Sequence, residues 1–138
     1  MPMGKLVAII SFFLLFSGCK KTIEKIKENA VISAMTDGQW VITNFVKNGT
    51  TITSDFAGYR FQFYSNKTVD AIKNSTVEKT GNWDGDVNSM TITTNFLNAV
   101  LPLTLLNGTW HIDNNSMTFV VASQNAGTDT KALRLEKL

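Results

Sequence analysis

The sequence predicts a small all-β domain that is preceded by a signal peptide and a short helix. From residue 39 onward, apolar and polar residues alternate with a period of two, which is the pattern of half-buried strands. Polar turn signals such as Asn48-Gly49 and Asp84-Gly85 separate these runs about every ten residues. This spacing is typical of an antiparallel meander, folded either as a sandwich or as a barrel.

The start of the chain has the layout of a bacterial lipoprotein signal. A short basic beginning is followed by the uncharged run LVAIISFFLLF over 6–16, and then by Ser17-Gly18 directly before Cys19. This run is too short to span a membrane, which takes roughly 20 apolar residues. Phe16 stands where such signals usually have leucine. The segment resembles a signal after which Cys19 is acylated, and ordinary secretion is the alternative.

An acylated Cys19 would place the protein in the bacterial cell envelope, and we expect it at the outer membrane, facing the periplasm. More than one acyl chain makes a stable anchor. The basic pair Lys20-Lys21 either contacts anionic headgroups or forms a solvated linker. Because the single cysteine is the lipid site, no disulfide can form. The 13 basic and 11 acidic side chains nearly balance, so the charge does not favour a nucleic-acid partner.

A helix is predicted from Thr22 to Met35. Apolar residues recur there at three- and four-residue spacing, Thr22 can cap the N-terminus, and Asp37-Gly38 can end the helix. The helix either spaces the domain from the membrane or closes one end of it. The predicted divisions of the chain are a signal peptide at 1–18, a lipidated tether and helix at 19–37, and a β domain at 38–138.

About eight strands are predicted in the β domain. Alternation gives their inward faces, for example Tyr59, Phe61 and Phe63 in the second strand. By the same rule, Met117, Phe119 and Val121 are expected to face inward from a later strand, as are Leu133 and Leu135 from the last. The predicted bounds are 39–47, 57–64, 67–73, 77–84, 88–96, 104–112, 116–123 and 131–137.

Two segments of the β domain share one sequence unit. Residues 81–91 and 108–118 are identical at seven of eleven positions. Each copy predicts a strand that carries tryptophan, a polar turn, and a strand that opens on methionine. Trp83 and Trp110 are therefore expected on the same side of the sheet, and Trp40 belongs to a third Gly-x-Trp. The three indoles either pack in the core or line one ligand site.

These motifs resemble those of the bacterial lipocalin-like lipoproteins. The resemblance covers about residues 38–138 and rests on the Gly-x-Trp of the first strand, on Gly58 to Phe63, and on Leu106 to Trp110. It implies a calycin-like, up-and-down antiparallel barrel of about eight strands and no shared catalytic residues. The length leaves open whether such a barrel encloses a ligand cavity or fills itself with side chains.

Catalysis is disfavoured by a shortage of suitable side chains. His111 is the single histidine and Cys19 the single thiol, so a Cys–His pair or a His-rich zinc site cannot be assembled. The run from Asp84 to Asn88 lacks the later glycine and glutamate of a calcium loop, which favours a hairpin turn. We therefore expect neither enzyme activity nor a metal or other cofactor.

Two functions remain. In the first, the barrel interior binds a small apolar ligand. In the second, the barrel is filled and the protein either has a structural role in the envelope or docks an envelope protein. The apolar stretch 96–103 departs from alternation and contains Pro102, so it should fold across one end, as a lid in the first case or a core plug in the second. The candidate ligand-binding residues are Phe61, Phe63, Trp83, Met90, Phe96, Trp110 and Phe119.

Overall fold

The computed structural model describes residues 25–138, and it begins with one helix. The predicted signal peptide, Cys19 and Thr22 lie outside the described residues. Helix α1 occupies 25–36 and is terminated at Gly38, whose φ of +77° is the left-handed conformation that glycine adopts at little cost. Within residues 25–138, no helix has both the length and the apolar character needed to cross a membrane.

Nine strands follow α1 in the described part of the chain. Their bounds are β1 (Trp40–Lys47), β2 (Thr50–Thr51), β3 (Tyr59–Phe63), β4 (Thr68–Lys73), β5 (Thr76–Asp86), β6 (Thr91–Asn95), β7 (Gly108–Asn115), β8 (Phe119–Ala126) and β9 (Asp129–Lys137). The two residues of β2 pair only with β1. The other eight strands are antiparallel to their neighbours, and β1 closes the ring by pairing with β9.

The predicted all-β, up-and-down antiparallel barrel of about eight strands is confirmed. The eight predicted strands correspond to β1 and β3–β9, and the closure of β1 on β9 decides for a barrel over a sandwich. The bounds differ most in two places. β6 begins only at Thr91, and a 3-10 helix (Leu103–Leu106) stands where the start of the sixth strand was expected.

The up-and-down topology gives the barrel two distinct ends. At the helix end lie α1, the turns at 64–67, 87–90 and 116–118, and the end of β9. At the loop end lie the 3-10 helix Thr53–Phe56, the turns at 74–75 and 127–128, and the long connection 96–107 between β6 and β7. These two names are used below for the two ends.

Aromatic side chains fill much of the barrel interior. Phe45 stacks on Phe56 with ring centroids 4.9 Å apart, and Phe63 meets Trp83 edge-on at 5.4 Å. Tyr59 and Phe61 are buried beside them, as the alternation of β3 predicts. No polar or charged side chain is fully buried among residues 25–138, so the core is held by apolar packing.

The inward face predicted for β8 is wrong. Val120 and Ala122 are the buried residues of this strand, which places Phe119 on the outer wall. There the Arg134 guanidinium lies 4.4 Å from the centroid of the Phe119 ring. Because 119–122 are all apolar, alternation cannot decide the face, and the pairing of Val120 with the inward Leu135 does so.

The prediction that a strand opens on methionine is also wrong. Met90 has φ +54° and lies in the turn between β5 and β6, and Met117 lies in the turn between β7 and β8. Both side chains are exposed. The repeated Ser-Met-Thr is nevertheless a repeated structure, since Ser89 pairs with Thr91 through their hydroxyls at 2.8 Å and Ser116 with Thr118 at 3.1 Å.

The two leading glycines of the repeated unit are required for different reasons. A Cβ on Gly81 would lie 2.6 Å from the carbonyl oxygen of Asn95, which glycine alone avoids. Gly108 has φ +104°, and a Cβ there would lie 2.5 Å from Nε2 of Gln124. Trp83 and Trp110, two positions after these glycines, are both buried and so lie on the same side of the sheet, as predicted.

Candidate functional site

The cavity inside the barrel is small and apolar. Its volume is about 40 Å³, little more than the share of one water molecule in the liquid. Ligand pockets are usually about 300–1,000 Å³ and carry a few polar groups that orient the ligand. Phe61, Phe63, Phe96 and Trp110 of the predicted ligand-binding set line this cavity. The other lining residues are Ile42, Val69, Ile92, Thr94, Leu106, Val120, Ala122, Leu133 and Leu135.

A second cavity of about 80 Å³ lies between α1 and the helix end of the barrel. The helix contributes Val31, Ala34 and Met35 to its wall. Trp83 and Met90 also belong to the predicted ligand-binding set, and they line this cavity rather than the central one. Ile92 and Val120 line both cavities, so these two side chains separate them. Phe119, the seventh candidate, lines neither.

Only the second half of α1 covers the barrel. Residues 25–30 are exposed, whereas Met35 is buried and Val31 and Ile32 pack against the core. The indole N–H of Trp40 donates to the carbonyl oxygen of Met35 at 2.9 Å and so ties the last turn to the first strand. The helix end is thus closed by about two turns of helix.

The three tryptophans are divided between the two ends. Trp40 and Trp83 line the cavity under α1, while Trp110 lines the central cavity and meets Phe45 at 6.0 Å. Each indole N–H already has a partner, since Trp83 donates to the Tyr64 carbonyl at 3.0 Å and Trp110 to the Leu106 carbonyl at 2.8 Å. Their geometry is that of core residues whose polar atom is satisfied internally.

A lysine covers the outer side of each tryptophan. The ammonium nitrogens lie 5.1 to 5.5 Å from the indole centroids, within the range of cation–π contacts. These lysines therefore shield the core at the rim of the barrel. The pairs are Lys67 with Trp83, Lys131 with Trp110, and Lys137 with Trp40.

The apolar stretch 96–103 is neither a pure lid nor a pure plug. Phe96 and Leu103 are buried in the core. Leu97, Val100 and Leu101 are instead 67% to 70% exposed at the tip of the loop end. The base of the loop is held by a hydrogen bond at 2.7 Å, in which the backbone N–H of Phe96 donates to Oδ1 of Asn107.

Two lysines stand beside the exposed loop. Lys47 and Lys131 pair across β1 and β9, and Nζ of Lys131 donates to the Leu105 carbonyl at 2.9 Å. Burial lowers the pKa of Lys131, the charge of Lys47 lowers it further, and Asp129 acts in the opposite direction. Lys47 and Asp55 flank an open groove beside the loop, which is lined by Ile52, Leu101, Pro102 and Leu105.

His111 lies on the outer wall in a small polar cluster. Its Nδ1 is 2.9 Å from Oδ1 of Asp113, and the cross-strand neighbour of His111 is Ser123. Hydrogen bonds from His111 and then from Ser123 lower the pKa of Asp113. The carboxylate stands at the centre of this cluster, whereas a nucleophilic triad needs the imidazole there. Across residues 25–138, no group of three or more His, Cys, Asp or Glu is placed to hold a metal.

Sequence reasoning located the loop 96–103, but it missed the two lysines beside this loop and the exposed apolar side chains at the helix end. Lys47 and Lys131 are far apart in the chain, and only the closure of β1 on β9 brings them together. The exposed side chains of Ile26, Tyr64 and Leu138 carry no signal in the sequence beyond their apolar character.

Residues 25–138 thus form a closed, eight-stranded antiparallel barrel with one helix. It is similar to the crystal structure of a DUF4847 family protein from Bacteroides vulgatus. The TM-score is 0.55 at 11% sequence identity, and the match covers 77% of this chain and 96% of the other. At this identity the similarity concerns the fold alone. No protein family model matches the chain, and no curated protein does so either.

Proposed function

We propose that this protein is a lipid-anchored protein of the bacterial envelope that docks a protein partner through the loop end of its barrel. The observation that carries the proposal is the cluster formed by Leu97, Val100 and Leu101. These neighbouring side chains are exposed on one loop, although apolar residues of this size are usually withdrawn from water. The loop base is fixed by buried Phe96 and Leu103, so the cluster is presented on a rigid support.

The small interior supports docking over ligand binding. A central cavity of about 40 Å³ has no room for an acyl chain without the displacement of core aromatic rings. The function of the barrel is then to hold its two ends at a fixed separation. The interior is the scaffold, and the exposed apolar loop is the active surface.

The surroundings of the loop indicate the chemistry of the partner. The groove beside Leu101 has an apolar floor formed by Ile52 and Leu105. Lys47 and Asp55 stand at its edges, and Lys131 lies next to Lys47 on the neighbouring strand, so the positive charge is concentrated on the side of Lys47. A partner that inserts an apolar side chain into the groove and places a carboxylate near Lys47 would complement both features.

The anchor is the second part of the proposal. The signal layout before Cys19 supports acylation at that residue, and the basic pair Lys20-Lys21 after it favours a position at the outer membrane facing the periplasm. The motifs of the β domain, among them Gly58 to Phe63, support membership in the lipocalin-like lipoproteins. Substitution Cys19→Ala should then leave an unprocessed or mislocalised precursor. Mass spectrometry of the mature protein tests this directly, and an unmodified N-terminus at another residue would overturn it.

The docking surface can be tested by site-specific photo-crosslinking in living cells. A photoreactive amino acid is placed at Leu97 or, as a control at the same end, at Val77, which is also exposed. We expect a discrete adduct from position 97 that Leu101→Glu and Lys47→Glu abolish, and no such adduct from position 77. Equal adducts from both positions, or an adduct that survives both substitutions, would contradict the proposal.

A second candidate is the binding of a small apolar ligand in the joined cavities. It is favoured by the apolar wall of the central cavity and by Ile92 and Val120, which line both cavities. The ligand would enter at the helix end, because α1 covers that cavity with two turns. Titration with a fluorescent fatty acid tests this function. Saturable binding that Ile92→Trp abolishes would support it, whereas binding unaffected by this cavity-filling change would count against it.

We also propose that the protein acts by binding rather than by catalysis and needs no cofactor. The outward exposure of His111 and the central place of Asp113 in its cluster support this view. Hydrolase activity that disappears in His111→Ala would overturn it.

A further inference from the structure

Exposed apolar side chains form a ring around the helix end of the barrel. Five large ones lie there, each between 41% and 62% exposed. They come from separate elements, which are α1, three successive strand turns and the last residue after β9. We name this set the helix-end rim, and its members are Ile26, Tyr64, Met90, Met117 and Leu138.

The position of each rim residue follows from the contacts of its backbone or neighbours. Met90 lines the cavity under α1, and Ser116, next to Met117, lines the same cavity. The backbone carbonyl oxygen of Tyr64 accepts a hydrogen bond from the indole N–H of Trp83 at 3.0 Å. The backbone N–H of Leu138 donates to the carbonyl oxygen of Gln39 at 2.9 Å, beside the start of β1. Lys25, next to Ile26, lines a groove together with Val87 of the turn after β5. All five residues therefore lie at the same end.

Charges of both signs lie at this end, and four of them form two ion pairs. Nζ of Lys67 lies 2.9 Å from Asp84, and Nζ of Lys137 lies 3.6 Å from Asp37. The rim thus offers apolar contact without a strong net charge. A surface of this kind favours an apolar or interfacial occupant over a strongly charged one.

The length of chain before α1 indicates what that occupant is. Cys19 precedes residue 25 by six positions, a segment that reaches at most about 20 Å when fully extended. The exposed first half of α1, residues 25–30, adds about 9 Å of helix. An acylated Cys19 therefore holds the helix end close to the bilayer, where contact between rim and lipid becomes an intramolecular event.

We propose that the helix-end rim rests on the lipid bilayer and that its side chains enter the interfacial region. This inference depends on the proposed anchor at Cys19. Five separate side chains on a ring match a fluid and nearly flat surface, whereas a protein partner requires a contiguous, shaped patch. The seating directs the loop end, with Leu97, Val100 and Leu101, away from the membrane and towards the periplasm.

Thiol accessibility tests this orientation in the full chain. Met117→Cys places a thiol on the rim, and Val77→Cys places one of similar exposure at the loop end, outside the proposed docking loop. Isolated envelopes are treated with a membrane-impermeant maleimide. We expect Met117→Cys to react about tenfold more slowly than Val77→Cys, because access limits the reaction of an otherwise ordinary thiol. Met90→Cys on another turn should behave like Met117→Cys.

The possible outcomes separate the seating from the anchor. The parent protein reports on the anchor, since an acylated Cys19 cannot react with maleimide; a reactive Cys19 overturns both ideas. An unreactive Cys19 together with equal rates for Met117→Cys and Val77→Cys overturns the seating alone, as does slower labelling of Val77→Cys. The purified lipidated protein is then placed in vesicles of phosphatidylethanolamine and phosphatidylglycerol. Protection that vanishes there would mean that protein, and not lipid, covers the rim.

Discussion

The two ends of this barrel are closed by different kinds of segment. The helix end is covered by α1, which precedes the sheet in the chain and contributes Met35 and Val31 to the closure. The loop end is closed by connections between the strands themselves, through Phe56 and Leu103. A cover that precedes the sheet can detach while the strands stay paired, whereas a cover built from the connections cannot. The helix end is therefore the more separable of the two.

The exposed apolar side chains differ between the ends in the same way. At the helix end they are spread over five elements, and at the loop end Leu97, Val100 and Leu101 belong to one loop. A spread ring suits an extended lipid surface, and a compact cluster beside a groove suits a protein. This difference supports the proposal that the helix end rests on the membrane and that the loop end docks a partner protein.

The largest expected effect comes from the two repeated tryptophans, one near each end. Trp83→Ala and Trp110→Ala each remove a fully buried indole, and each should lower the free energy of unfolding by about 3–5 kcal/mol. Urea denaturation of both variants measures this loss. The matched changes Trp83→Phe and Trp110→Phe should cost less, because an aromatic ring remains. A parent-like midpoint for either alanine variant would show that its end is not part of the common core.

The separability of the helix end predicts a smaller and local effect for Met35→Ala. Removal of this buried side chain should cost about 2–3 kcal/mol. Hydrogen exchange should accelerate in residues 31–36 while the amides of β4 and β5 stay protected. Ile26→Ala on the exposed half of α1 is the control and should change neither quantity. Equal acceleration throughout the sheet would show that α1 and the barrel unfold as one unit.

Most of the fold was predictable because one face of nearly every strand is apolar. In β3 the alternation leaves no choice, and the predicted inward residues Phe61 and Phe63 line the interior. In β8 every residue from 119 to 122 is apolar, so the face was decided by pairing with β9 and not by the sequence pattern. Local alternation is informative only where the two faces differ in polarity.

The candidate site was less predictable because it depends on contacts between distant segments. The sequence identified 96–103 as unusual, but alternation could not show that Leu103 turns inward and Leu101 outward within one loop. Likewise, the distribution of the tryptophans over two ends follows from strand direction and from barrel closure. The volume of the central cavity is the least predictable quantity, since it depends on how all the core side chains fill the barrel together.

Alkaline pH should distinguish the loop end through Tyr59, which begins β3. Its hydroxyl donates to Glu78, and burial, with the hydrogen bond and charge of Glu78, raises the pKa of Tyr59 to about 12. The neutral form is thus favoured by folding, so this contribution is complete below pH 10 and is lost as the pH rises towards 12. A loss of about 1–3 kcal/mol between these values is expected.

Urea midpoints at pH 9 and at pH 11.5 measure this loss, and Tyr59→Phe is the control. The control removes the titrating hydroxyl but keeps the ring, so its stability should depend less on pH over this interval. An equal decline in parent and control would assign the alkaline transition to groups other than Tyr59. Lys131 is not one of them, because its lowered pKa makes folding more favourable as the pH rises.

The smallest expected effect on stability is that of a charge at the exposed position 101 of the loop, compared with a charge at the buried position 103. Leu101 is 70% exposed and Leu103 is 2% exposed, although they are only two positions apart. Leu101→Glu should therefore change the free energy of unfolding by less than about 0.5 kcal/mol, while Leu103→Glu, which buries a charge, should prevent stable folding. Thermal melting followed by circular dichroism compares the two variants. A Leu101→Glu variant that keeps the melting temperature but loses the crosslinked partner would show that the loop tip is a binding surface. A Leu101→Glu variant that does not fold would show that the tip belongs to the core, and the contrast between the two ends would disappear.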